Sequence, residues 1–214
     1  MLYLKLILLF TLFPVYLCKL DSPNTFQKSA SDIPHDDHKE GILDKRKIYI
    51  ELFKQKRVEQ KLALKRLISM ELPKRIKLLE ASLPAIQKVF AESRREIDTV
   101  TPTITNNNWF ESEKLKEKIS QVFENLALFS DFVAHFPTIC KGILLKEPMI
   151  KVESEWALKF TKSMNVLDEE TLQIVDVMAQ ELDFVAKATD FRNPFDETIK
   201  QNGNLTKTLF CTKI

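Results

Sequence analysis

Glycine is nearly absent from this chain: Gly41, Gly142 and Gly203 are the only three in 214 residues. Phosphate-cradling loops, strand-to-helix nucleophile turns and tight hairpins all draw on glycine, because glycine alone takes positive φ at little cost. The sequence therefore lacks the means to build them, and the fold has to come from elements that need no such turns. Helices joined by short polar or proline-bearing connections meet that requirement. With 44% of residues apolar, the chain can bury a sizeable core.

Helical spacing dominates from Asp44 onward, and no convincing alternating strand pattern competes with it. A first helix is expected over about Asp44–Met70, with Ile48, Leu52, Phe53, Leu62, Leu64, Leu67 and Ile68 as its apolar set. Leu72-Pro73 ends it, because the residue before proline avoids the α region. A second helix, about Pro73–Val100, steps through Ile76, Leu79, Leu83, Ile86, Phe90 and Ile97, and Pro84 should kink it. The third gives the clearest signal. Leu115, Ile119, Val122, Leu126, Phe129, Val133 and Phe136 alternate steps of four and three, Phe123 and Phe132 widen the stripe, and Pro137 stops it. Asn108 and Glu111 have capping-box spacing at its start. Shorter helices follow over Thr138–Leu145 and Ser154–Met164, and Asp168 can cap a last one carrying Leu172, Val175, Ala179 and Leu182. The expected fold class is all-α, a single antiparallel helical bundle over 44–195.

The ends read differently. Met1–Cys18 is a short apolar run with Lys5 near its start, too short for a span of roughly 20 residues, and it reads as a secretory signal peptide. An uncleaved anchor is the alternative. A polar tail over 19–43 and a second over 196–214 are expected to be disordered. No membrane span is expected once the signal is removed. Cleavage after Cys18 leaves Cys140 and Cys211, which either join in an oxidising lumen or stay as two buried thiols. Asn204-Leu205-Thr206 is the acceptor sequon for N-glycosylation.

Nothing in the sequence looks like an active site. His35 and His38 flank Asp36-Asp37 in the first tail, a weak metal arrangement at best, and no zinc spacing exists, so neither metal nor cofactor is expected. His135 lies off the apolar stripe and reads as a surface residue. Glu169-Glu170 sits at a helix start, where the dipole accounts for it. Charge is polarised: Lys39–Met70 holds ten Lys/Arg against four Asp/Glu, and Lys151–Lys200 six against eleven. A signal peptide places that basic segment away from nucleic acid, which is not expected as a partner. Two partner-binding candidates remain. Lys56, Arg57, Glu59 and Gln60 interrupt the apolar pattern of the first helix, so they are expected to be exposed, whether for a partner or simply to solvent. Phe191, Asn193, Pro194 and Phe195 form an aromatic segment resembling an endocytic adaptor tripeptide, although packing back onto the bundle explains it better. Reversing Lys56 and Arg57 to glutamate is expected to weaken partner capture and leave the bundle folded.

Three stretches, Leu52–Leu67 (LFKQKRVEQKLALKRL), Glu113–Pro137 (EKLKEKISQVFENLALFSDFVAHFP) and Met178–Phe195 (MAQELDFVAKATDFRNPF), resemble in order and spacing the coiled-coil domain-containing protein 134 family. The resemblance implies a non-catalytic luminal adaptor of the endoplasmic reticulum. Such an adaptor assists endoplasmin at the translocon, beside the oligosaccharyltransferase, and prevents its excess N-glycosylation. It also implies an alternative, a secreted cytokine-like ligand that restrains mitogen-activated kinase signalling. Vertebrate relatives end in a charged tail with a retrieval-like Ser-Glu-Leu, whereas this sequence ends in Cys211-Thr212-Lys213-Ile214. Retention is then expected to come from a bound resident partner, and secretion stays open.

Overall fold

The computed structural model describes residues 37–99, 104, 109 and 112–197, with side chains from residue 45 onward. Among the described residues it contains six helices and no strand: α1 (Asp37–Ile68), α2 (Leu72–Asp98), α3 (Glu113–His135), α4 (Pro137–Lys146), α5 (Pro148–Met164) and α6 (Glu169–Glu181). The all-α helical bundle expected from the spacing is the fold observed. α1 starts earlier than the sequence suggested, at Asp37, inside the stretch read as disordered. Met1–Cys18, Asn204 and Cys211 lie outside the described residues, as do the side chains of His35 and His38.

Each connection has a local cause. Pro73, Pro137 and Pro148 sit in the first turns of α2, α4 and α5, where a missing N–H is no loss and a fixed φ favours helix. α2 continues through Pro84 as one helix. The cap of α3 is Ser112, whose hydroxyl accepts from the Leu115 N–H; Asn108 and Glu111 lie outside the described residues. Asp168 caps α6 as its spacing predicts, accepting from the Thr171 N–H at 2.9 Å. α5 ends at Asn165 in the left-handed conformation, a role asparagine tolerates better than most residues. Arg75 closes α1: its guanidinium donates to the carbonyls of Leu67, Ile68 and Met70 and lies over the Phe136 ring.

α3 is the centre of the bundle and touches each of the other five helices. Its predicted stripe is buried from Ile119 onward, but burial does not stop at a stripe. Every residue from Leu126 to Pro137 is buried, so the second half of α3 and the turn after it have no solvent face. The chain turns there by 114° into α4. Phe129 packs edge-on against Phe90 of α2, and Phe123 stacks on Phe160 of α5, which in turn stacks on Trp156. Trp109, between α2 and α3 in sequence, is fully buried with its ring edge-on to Tyr49 of α1 and Phe123 of α3.

Phe129→Ala should destabilise the bundle by about 3–5 kcal/mol, the usual cost of emptying a core aromatic site. Leu145→Ala, at a residue 83% exposed, should change stability by less than about 0.5 kcal/mol. Urea unfolding followed by circular dichroism measures both.

Candidate docking site

α1 does not have one apolar stripe. Tyr49, Phe53, Leu64 and Leu67 enter the core, whereas Ile48 and Leu62, expected in the same set, are 61% and 51% exposed. At 100° per residue the two groups fall on opposite sides of the helix. The inner face is interrupted midway by polar residues, and these are not exposed as expected: Arg57 and Gln60 are buried.

Asp131 supplies the physical reason. It lies on the part of α3 that is buried all round, where an unpaired carboxylate would be costly. Arg57 meets it with two hydrogen bonds, Nη1 to Oδ2 at 2.7 Å and Nη2 to Oδ1 at 3.1 Å. The fork geometry of a guanidinium suits such a pair. Gln60 completes the arrangement, accepting from Arg57 Nη1 at 2.6 Å and donating to the Glu124 carbonyl at 2.9 Å. Arg57 and Gln60 therefore dock α1 on α3, and a reversal of Arg57 to glutamate would break the bundle as well as any capture of a partner.

Lys56 and Glu59 stay nearer the surface, paired at 3.6 Å. Both act on Glu124, which is half-buried on α3. Burial pushes its carboxyl from the usual 4.5 up to about 7; Lys56 opposes the shift and Glu59 adds to it. Burial likewise raises the Tyr49 phenol, and the Glu124 charge adds to that.

Beside this contact a groove of about 650 Å³ opens between α1 and the start of α6, lined by Lys54, Arg57, Val58 and Lys61 on one wall and by Asp168 to Thr171 and Gln173 on the other. Lys61 reaches across it to Glu170 at 2.6 Å. Basic α1 thus faces the acidic start of α6 across this groove.

The second candidate is an internal clasp. Asn193 donates to the Ala134 carbonyl at 2.7 Å and to Glu181 at 3.1 Å, while its Oδ1 accepts from the Phe195 N–H. Phe195 packs on His135, with ring centroids 5.5 Å apart. Phe191 and Phe195 are half-buried and Pro194 is exposed. His135 is buried, not a surface residue: its Nδ1 bonds the Asp131 carbonyl, and the returning segment covers its ring. Cys140 is a fully buried free thiol donating to the Phe132 carbonyl, and burial raises its pKa.

Among the described residues no group of three His, Cys, Asp or Glu is placed to hold a metal, and no single helix is long and apolar enough to cross a membrane. The described helices define an all-α bundle protein, with the outer face of α1 exposed and a groove beside it. A family model described as "ERK and JNK pathways, inhibitor" matches residues 34–208. Coiled-coil domain-containing protein 134 of Mus musculus is 34% identical over 151 residues, covering 70% of this chain and 66% of that protein. Its namesake in Xenopus tropicalis is 30% identical over 151 residues, covering 69% and 65%. The chain belongs to the coiled-coil domain-containing protein 134 family. The matched region spans slightly less than two thirds of these relatives' length. No solved structure matches.

Two outcomes test the geometry. Arg57→Ala or Asp131→Ala alone should cost about 3–5 kcal/mol by stranding a buried charge, and the paired Arg57→Met/Asp131→Leu change should recover most of it. Glu124 binds its proton more tightly when folded, so its contribution favours the fold below about pH 4.5 and is lost as pH rises towards about 7. Glu124→Gln should then stabilise by about 1–2 kcal/mol at pH 8, after solvent screening, with the gain fading at pH 4.5. Thermal melts across that range measure it.

Proposed function

We propose that this protein is a non-catalytic adaptor of the endoplasmic reticulum lumen that assists maturation of endoplasmin and limits its N-glycosylation, working beside the oligosaccharyltransferase and translocon. What supports this reading is the likeness to coiled-coil domain-containing protein 134, shared over 151 residues with the mouse relative, and the adaptor role which that likeness implies. The structure is consistent with it in one respect: the bundle is closed by its own inner contacts, and the outer face of α1 is left for a partner. The apolar run Met1–Cys18, read as a signal peptide, would deliver the chain to that compartment.

A second reading rests on the description of the family model, which names inhibition of the ERK and JNK pathways. On that reading the protein is secreted and acts from outside the cell as a helical ligand. Deleting the gene separates the two. Under the adaptor reading, endoplasmin should run more slowly on a denaturing gel and return to normal mobility after glycosidase treatment. An unchanged band, with ERK and JNK phosphorylation lowered by purified protein added to the medium, would replace the adaptor with the ligand.

A further inference from the structure

The outer face of α1 carries a pattern that the bundle does not use. Ile48, Gln55 and Leu62 are seven residues apart, and all three are exposed. Val58, 60% exposed, falls beside Leu62 at the spacing of one helical turn. Along one edge of this row run Lys47, Lys54 and Lys61, again seven apart. Ile48, Val58 and Leu62 thus make an exposed apolar strip, interrupted by Gln55 and edged by lysines; helices receive one another on such strips, with the edge charges selecting the partner. From Lys45 to Ile68, α1 carries nine Lys/Arg against Glu51 and Glu59. Of these cations, Arg57 is neutralised by Asp131, while Lys54 pairs with Glu51 at 2.7 Å and Lys61 with Glu170 at 2.6 Å.

We propose that the outer face of α1 docks an acidic amphipathic helix of a partner protein, its apolar side on Ile48, Val58 and Leu62 and its carboxylates along Lys47, Lys54 and Lys61. The row from Ile48 to Leu62 is about 21 Å long at 1.5 Å per residue, so it accommodates about four turns of helix. A second copy of this chain would bring lysine row against lysine row, which like-charge repulsion disfavours. A flat anionic membrane would have to meet the acidic wall of the groove, Asp168 to Glu170, together with the lysines. A single helix about 10 Å across meets less of that wall than a flat surface does. Glu51 and Glu170 hold the lysines loosely, as exposed ion pairs do, and incoming carboxylates can replace them. The inference rests on the adaptor reading, to which it adds the chemistry of the partner.

The test uses the full chain and two fluorescent peptides of roughly 21 residues, with leucines at the a and d positions of three heptads. One has glutamate and the other lysine at the flanking positions. Anisotropy titration should show the glutamate peptide binding in the micromolar range and the lysine peptide at least roughly 100-fold more weakly. Val58→Ser/Leu62→Ser should weaken the glutamate peptide about tenfold or more with an unchanged circular dichroism spectrum, because both residues are exposed. Lys47→Glu/Lys54→Glu should reverse the preference between peptides. The control Leu145→Ser, on a different patch, should bind as the natural chain does. Equal binding of the two peptides, no binding of the glutamate peptide, or indifference to these substitutions would overturn the proposal. A dimer dissolved by Val58→Ser/Leu62→Ser would overturn it in favour of a second copy, and retention on phosphatidylserine vesicles lost in that variant would do so in favour of a membrane. A slowed endoplasmin band in the deletion, together with failed peptide binding, would leave the adaptor reading standing and remove only this face from it.

Discussion

The buried ion pair between Arg57 and Asp131 fixes how this bundle is put together. The second half of α3 is enclosed on every side, so each polar group it carries has to be satisfied by a neighbour. Ser130 turns its hydroxyl back to the Leu126 carbonyl, and His135 is met by the Asp131 carbonyl and the ring of Phe195. Asp131 is the one group there with a carboxylate charge, and it draws in the guanidinium of α1. A buried pair of this kind is weak evidence for added stability, since burying two charges offsets much of their attraction. Its role is better described as register: a shift of α1 along or around its axis would strand both charges in the core.

That constraint gives α1 two distinct faces. The inner one is occupied with holding the bundle together, through Tyr49, Phe53, Arg57, Gln60, Leu64 and Leu67. Arg75 then ties off its end, donating to the carbonyls of Leu67, Ile68 and Met70. The outer face, with Ile48, Val58 and Leu62 among lysines, contributes little to folding and is open to a partner. The clasp at Asn193 does the opposite. A segment with the composition of an adaptor-binding tripeptide is held down by two side-chain hydrogen bonds and a ring contact, leaving chiefly Pro194 and Arg192 at the surface.

How much was legible in advance differs from helix to helix, for identifiable reasons. α3 could be read because its apolar residues recur every three or four positions with no rival face, and α6 because Asp168 is a strong cap ahead of a regular stripe. α1 could not. Apolar residues on two opposite faces merge into one list when only their presence is counted, so Ile48 and Leu62 were grouped with Phe53 and Leu67. Arg57 and Gln60 looked like surface residues for the same reason, since a charged side chain inside a bundle is rare without a partner far away in sequence. The one sign was Asp131 itself, an acid set in the most apolar stretch of the chain, 74 residues from the arginine that meets it. The burial of His135 is not legible locally because its cover comes from Phe195, beyond three further helices.

The sequence alone determined the class of fold. Scarce glycine, helical spacing and well-placed prolines and caps are local properties, and local backbone preferences act over a few residues. Its three matching stretches also carried the family. Only the tertiary structure decided which side of α1 faces inward, which charges are spent on docking helices and which are left outside. Those outcomes depend on desolvation and pairing between residues distant in the chain, and a buried charge is compensated by whatever the fold brings within hydrogen-bonding reach.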